Sequence, residues 1–268
     1  MSTTIGFIGC GNMGGALIEA ASKVVTPACI LISDRDQKKR DALASRLGVT
    51  ATTTEGIADS ADYIFLGVKP QVFGNLFEEL SPLLAKREKK PVLVTMAAGL
   101  SISTIEKMAG CTCGVIRIMP NTPVAVGEGM ILYTSNAQVD ESQLEAFCGF
   151  LCAAGRMDRI DENKIDAASA LSGCGPAFVY LFAEALADGA VECGLPREQA
   201  MLYAAQTIKG AAELMLQSGK HPGELKDAVC SPGGTTIAGV HALEDGGLRA
   251  TAMGAVNAAY KRTLELKK

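Results

Sequence analysis

Short runs of uniformly apolar residues punctuate the first 120 positions of the chain. "TIGFI" (4–8), "CILIS" (29–33), "DYIFLGV" (62–68), "PVLVTMAAG" (91–99) and "CGVIRIMP" (113–120) have strand length, and none alternates with polar residues. A strand reads this way when neither of its faces meets water, so these runs predict a parallel sheet covered on both sides. The segments between them turn helical: "GCGNMGGALIEAASK" after the first run, a charged stretch over 36–46, and another over 71–85. "VTA" (49–51) reads as a short extended piece. "GEGMILYTS" (127–135) and "GRMDRID" (155–161) predict later, shorter strands that close the sheet edge, with a helix over 140–153 between them.

The pattern changes near residue 160. Beyond it the strand signal stops, and Ala, Leu, Glu and Lys dominate 162–171, 175–194, 196–217, 221–229 and 235–266, with a break at "DGG" (245–247). Gly194 followed by Pro196 marks one helix ending and the next beginning. The expectation is an α/β chain with a doubly wound domain over 1–160 and an all-helical domain over 161–268. Ala183, Ala185, Ala187 and Ala190 let helices approach closely, and a long helix with so few charges is expected to pack against another subunit as well as its own domain.

Composition narrows the partners. Hydrophobic residues make up 48% and charged residues 20%, ordinary for a globular protein, and the net charge of −4 argues against nucleic acid or anionic lipid. Mean hydropathy is +0.22, but Ala, Gly and Cys supply much of it. No apolar run reaches the roughly 18 residues of a membrane span, so no membrane partner is expected. "MSTTIGFIG" has no basic leader and passes straight into a strand, so no signal peptide is expected either. Nine irregularly spaced cysteines suit reduced thiols in a cytoplasmic protein. Cys111 and Cys113 stand too close for a usual zinc knuckle, Cys148 and Cys152 lack a second pair, and there are two histidines, so no metal is expected.

The chemistry concentrates at glycines. Gly9, Gly11 and Gly14 have G-x-G-x-x-G spacing, follow a strand and open a helix, which is the context of a Rossmann-type dinucleotide loop. The first glycine makes the turn, the second lets a pyrophosphate approach the main chain, and the third packs helix on strand. About twenty residues on, Asp34 and Arg35 end the second strand. An acid there suits the ribose hydroxyls of NAD and an arginine suits the 2′-phosphate of NADP; the sequence leaves both open. "GVKPQ" (67–71) ends another strand, where Lys69 can reach a ribose or phosphate oxygen and Pro70 fixes the loop. "MAAGLS" (96–101) offers small residues to the nicotinamide end, and "MPNTP" (119–123) offers a rigid loop.

Two further stretches stand out in the helical half. In "LSGCGPA", Ser172 is placed to cap a long helix and Pro176 suits its first turn. In "CSPGGTT", Gly233 and Gly234 remove side chains so that backbone N–H groups converge at a helix start, and Thr235 and Thr236 add hydroxyls. Such a nest suits a carboxylate.

"FIGCGNMG", "VKP", "AAG", "MPNTP", "LSGCGPA" and "KDAVCSPGGTTI", in that order, resemble the Δ1-pyrroline-5-carboxylate reductases over nearly the whole chain. The resemblance implies a Rossmann-type N-terminal domain and an all-helical C-terminal dimerisation domain. It also implies interlocked homodimers that often form rings of five, and an active site between the cofactor domain and helices of both subunits. Its cofactor is NADPH more often than NADH. By similarity, Ile8, Gly9, Cys10, Gly11, Asn12, Met13 and Gly14 form the dinucleotide loop, and Asp34 and Arg35 take the adenosine-ribose position. Gly67, Val68, Lys69, Pro70, Met96, Ala97 and Ala98 line the cofactor. Ser172 and the Gly233, Gly234, Thr235 and Thr236 loop bind a cyclic imino acid, with the Thr236 hydroxyl near the ring nitrogen. The reaction implied is hydride transfer to the C=N carbon, yielding proline. Two positions depart from the family: Cys174 replaces a serine, and Thr54 stands where an asparagine is frequent on the adenine side. A β-hydroxyacid dehydrogenase is the rival enzyme, but Phe178, Val179 and Tyr180 stand where its proton-donating lysine would fall. A non-catalytic dinucleotide sensor would have no use for "SPGGTT".

Overall fold

A computed structural model describes residues 3–265. The chain divides into two compact units, one running to Gly173 and taking in the C-terminal end from Tyr260, the other spanning Cys174–Ala259.

The first unit is built on one eight-stranded sheet. Its strands are β1 (Ile5–Ile8), β2 (Ile30–Ser33), β3 (Thr50–Ala51), β4 (Tyr63–Leu66), β5 (Val92–Thr95), β6 (Val115–Met119), β7 (Gly129–Ser135) and β8 (Gly155–Arg159), in the order β3-β2-β1-β4-β5-β6-β7-β8. Every neighbouring pair is parallel except β6 and β7. The exception has a simple cause. A parallel return needs a crossover of a dozen or more residues, and "PNTPVAVGE" provides only a short 3-10 turn over Thr122–Val126. The chain order reverses between β1 and β4, which leaves a crevice at the carboxyl ends of those strands.

Helices cover both faces. They are α1 (Asn12–Ser22), α2 (Gln37–Leu47), α3 (Thr54–Ser60), α4 (Phe73–Lys86), α5 (Ile102–Ala109), α6 (Glu141–Leu151) and α7 (Glu162–Ser172). Successive residues of each strand serve opposite cores. Phe7 and Phe65 join Leu17, Ile18 and Phe147 on one face, whereas Ile8, Ile64 and Leu66 join Ile57, Leu76 and Ile105 on the other. Two short helices, α3 and α5, go beyond the pattern reading. Each starts at a side-chain cap: Thr53 accepts the Gly56 N–H, and Ser101 accepts the Thr104 N–H.

By contacts, the first unit runs on through α7 to Gly173. Helix α7 seats Ile165 and Asp166 fully inside the first unit, with Ile165 against Met119 and Leu132 of the sheet. Its Ala-rich composition reads as helical, and nothing in that composition says which unit it packs on.

The second unit comprises α8 (Gly175–Glu192), α9 (Arg197–Ser218), α10 (Pro222–Ala228), α11 (Thr235–Asp245) and most of α12 (Leu248–Glu265). Ala187, Ala200 and Ala204 form its small core where α8 meets α9. Much of its remaining apolar surface is bare: Tyr180, Leu181, Leu202 and Met253 are all more than 60% exposed. A patch of this kind marks an interaction surface. The expectation that no stretch is membrane-like needs one correction. The helical run Glu162–Glu192, which joins α7 to α8, is long and apolar enough to cross a membrane by length and composition, with a mean hydropathy of 1.4 over its best window. Small and apolar residues interspersed with few charges raise that average without forming an unbroken apolar run.

Candidate active site

Three glycines close the crevice between β1 and β4. Gly9 has φ +103°, and a Cβ there would lie 2.6 Å from the Gly67 carbonyl oxygen. A Cβ on Gly14 would lie 2.2 Å from the Gly9 oxygen, and one on Gly67 would lie 2.8 Å from the same atom. The end of β1, the start of α1 and the end of β4 therefore interlock through bare main chain. Gly11 differs, because a Cβ there would meet no protein atom within 4 Å. Nothing in the fold requires glycine at that position. What a glycine leaves there is uncovered backbone at a helix N-terminus, which suits a phosphate.

A cleft of ≈ 270 Å³ opens over these glycines, lined among others by Ile8, Gly11, Asp34, Arg35, Thr54 and Lys69. A second, of ≈ 550 Å³, shares Gly11, Gly67, Val68 and Lys69 with it and extends to Asn12, Met13, Met96 and Met119. Most of the residues expected to hold a dinucleotide thus line one continuous surface. Cys10, Gly14, Pro70, Ala97 and Ala98 line neither cleft. Cys10 and Ala97 are buried, Pro70 opens a short 3-10 turn, and Ala98 is exposed elsewhere. Val72, Leu76 and Glu79 also line the first cleft and escaped the sequence reading. The signal for them was positional, since they lie in the 3-10 turn and the first two turns of the helix that follow a parallel strand's carboxyl end.

The two adenosine-side residues face different tasks. Asp34 Oδ2 accepts the Cys10 N–H at 2.6 Å, and Oδ1 accepts the Asp36 N–H at 2.9 Å. Burial, and after it the Asp34 charge, push the Cys10 thiol up to about 11, so it stays protonated at neutral pH. Arg35 is exposed and forms no ion pair among the described residues.

A charged cluster behind the site was not anticipated. Arg117, in the middle of β6, is 1% exposed. Its Nη2 donates to Asp166 Oδ1 at 2.8 Å, and its Nη1 lies 3.4 Å from Glu162 Oε1, which also accepts the Ile102 N–H at 2.8 Å. The Nε of Arg117 is buried without a partner. At the end of the same strand, Asn121 Nδ2 donates to the Ser172 carbonyl at 2.9 Å, while its Oδ1 accepts the Met130 N–H. Both ends of α7 are thereby tied to the sheet. Asn121 braces the "MPNTP" loop from within. Ser172 does not cap α8: its hydroxyl donates back to Ala168 O at 3.1 Å, and Cys174 takes the N-cap position. The last turn of α7 holds the serine before α8 begins.

In the helical unit, Gly233 has φ +68°, and Gly234 is the N-cap of α11 with no side-chain cap. A Cβ on Gly234 would lie 2.3 Å from Ser231 Oγ. Thr235 and Thr236 form the first turn and are exposed. The loop therefore presents uncapped first-turn N–H groups and two hydroxyls to the outside.

The chain is 41% identical to a pyrroline-5-carboxylate reductase of Pisum sativum over 267 residues, covering 99% of this chain and 96% of the relative. The chain belongs to the pyrroline-5-carboxylate reductase family. Residues 162–266 match the model described as pyrroline-5-carboxylate reductase dimerisation, and residues 4–99 match the one described as NADP oxidoreductase coenzyme F420-dependent. Among solved structures, a pyrroline-5-carboxylate reductase from Coxiella burnetii superposes with a TM-score of 0.92 at 34% identity and full coverage of both chains. The Plasmodium falciparum pyrroline carboxylate reductase with NADP bound gives a TM-score of 0.85 at 32% identity, covering 99% of this chain and 98% of that one. The family's dimerisation domain takes in the bare apolar helices, including all of the stretch that passes for a membrane span.

Proposed function

We propose that the chain reduces Δ1-pyrroline-5-carboxylate to proline with a reduced nicotinamide dinucleotide, the last step of proline synthesis. The full-length match to reductases of that name carries the reading. The crevice supports it from the residues upward, because bare main chain at Gly11 faces a cleft at the reversal of strand order. Bound there, the reduced nicotinamide supplies the hydride that the C=N carbon accepts, and the ring nitrogen ends as an amine.

The residues of this chain hold and align. The N–H groups of the Gly233–Thr236 turn seat the substrate carboxylate. The ring nitrogen takes its proton from bulk solvent before the hydride arrives, since a threonine hydroxyl is too weak an acid to supply it, and Thr236 Oγ1 accepts a hydrogen bond from the resulting charged N–H. Arg35 meets a 2′-phosphate, which favours NADPH over NADH. Gly14 packs the loop, and Thr54 covers the adenine side. The apolar helices pair two subunits, and assembly of five such dimers into a ring is part of the same proposal, as is a cytoplasmic location.

A spectrophotometric assay of the purified protein with pyrroline-5-carboxylate, run separately with each dinucleotide, tests the reaction; no turnover with either would end the reading. Thr236→Ala is expected to lower kcat with the imine by about 10–100-fold, the weight of one hydrogen bond to a charged group, with dinucleotide affinity unchanged in a binding titration. Arg35→Ala is expected to raise the KM for NADPH by roughly tenfold or more while hardly moving that for NADH. Equal effects on both would remove the 2′-phosphate assignment.

A further inference from the structure

We propose that Asp34 is a positioning residue that anchors the dinucleotide loop, and that it does not read the cofactor's ribose. The inference rests on the dinucleotide-binding reading above. An acid that discriminates between the two dinucleotides must turn its oxygens toward the ribose diol. In this chain each oxygen of Asp34 already accepts from the protein, Oδ2 from the Cys10 N–H at 2.6 Å and Oδ1 from the Asp36 N–H at 2.9 Å, which holds the carboxylate toward the loop and leaves each oxygen one further lone pair. The short contact to Cys10 ties the turn between β1 and α1 to the end of β2. Two neighbouring bonds do the same work, from the Gly9 N–H to Ser33 O at 2.7 Å and from Cys10 Sγ to Ser33 O at 3.7 Å. The loop is stitched to β2 at consecutive residues, with Asp34 supplying the charge-assisted stitch.

The chemistry around the carboxylate agrees. Two amide donors offset its charge, which weakens its repulsion of a 2′-phosphate. Arg35 lines the same cleft and is exposed, with no ion pair among the described residues, so it is free to meet that phosphate. Asp34 thus acts through the loop on every dinucleotide alike, and discrimination passes to its neighbour.

The test is binding of NADH and of NADPH, each followed by nicotinamide fluorescence, to the full-length protein and to Asp34→Ala and Asp34→Asn. Hydrogen exchange at the Cys10 amide is measured in parallel. Asp34→Ala is expected to weaken both dinucleotides by the same factor, roughly tenfold, the weight of a charge-assisted hydrogen bond, with their ratio preserved within about twofold. The Cys10 amide is expected to lose its protection. Asp34→Asn keeps a carbonyl oxygen for the Cys10 N–H and is expected to recover most of the affinity and the protection. A ribose-reading acid gives a different result: NADH weakens at least about tenfold more than NADPH, or NADPH binding tightens, and either outcome overturns the proposal. If the unaltered protein binds neither dinucleotide, the functional reading falls first and this inference with it.

Discussion

Asp166→Ala is expected to destabilise the first unit by about 3–5 kcal/mol, the cost of leaving one member of a buried ion pair uncompensated. Arg117 sits in the centre of the sheet at 1% exposure, and among the described residues Asp166 Oδ1, at 2.8 Å, is its one short carboxylate contact. Glu162 is 3.4 Å away, a third exposed, and already accepts the Ile102 N–H, so it compensates the guanidinium less well. Nε is unpartnered even in the intact cluster. The pair need not be net stabilising, since buried ion pairs replaced by apolar residues of similar volume are often neutral or better. Arg117→Met combined with Asp166→Leu should therefore return most of what Asp166→Ala alone removes. Urea unfolding of the three proteins decides the matter. A loss below about 1 kcal/mol for Asp166→Ala would mean that the guanidinium finds solvent or another acceptor.

That cluster also marks where the sequence stops being legible. "CGVIRIMP" reads as a buried strand, and it is one, but its arginine finds its acid 49 residues later on a helix that composition alone assigns to the other domain. Separation of this kind leaves no periodic signal. The parallel strands and the glycine loop were readable because each rests on local rules: uniform apolarity for a doubly covered strand, and fixed spacing for a turn that must pass close to another backbone. The antiparallel return of β7 depends on how few residues connect it to β6, a constraint that strand composition does not carry. Asp34 shows the sharper limit. Its position was legible and its amide partners were not, because which N–H groups a carboxylate accepts from is settled by its rotamer. The Gly233–Thr236 turn was legible for the opposite reason: two adjacent glycines before a helix have few uses, and the φ of +68° at Gly233 is one that only glycine adopts cheaply.

Gly14→Ala and Gly11→Ala are expected to separate the two jobs of the loop. The methyl of alanine at 14 would sit 2.2 Å from the Gly9 carbonyl oxygen, which is backbone and has no rotamer to escape into. The helix must move away from the strand, at a cost of about 1–3 kcal/mol in stability. That movement also displaces Gly9, which is interlocked with Gly67, so dinucleotide affinity falls about 100-fold, the weight of one or two main-chain hydrogen bonds to a charged phosphate. At position 11 the methyl meets no protein atom within 4 Å. Stability should therefore hold to within about 0.5 kcal/mol, the small deficit coming from alanine being a poorer N-cap than glycine. Affinity should still fall at least about tenfold, because the methyl occupies the space through which a pyrophosphate reaches the main chain. Thermal unfolding and a fluorescence titration of each dinucleotide read both quantities on the same samples. A Gly11→Ala protein that bound NADH and NADPH normally would show that no phosphate approaches there, and the bare backbone at the head of α1 would then need another explanation.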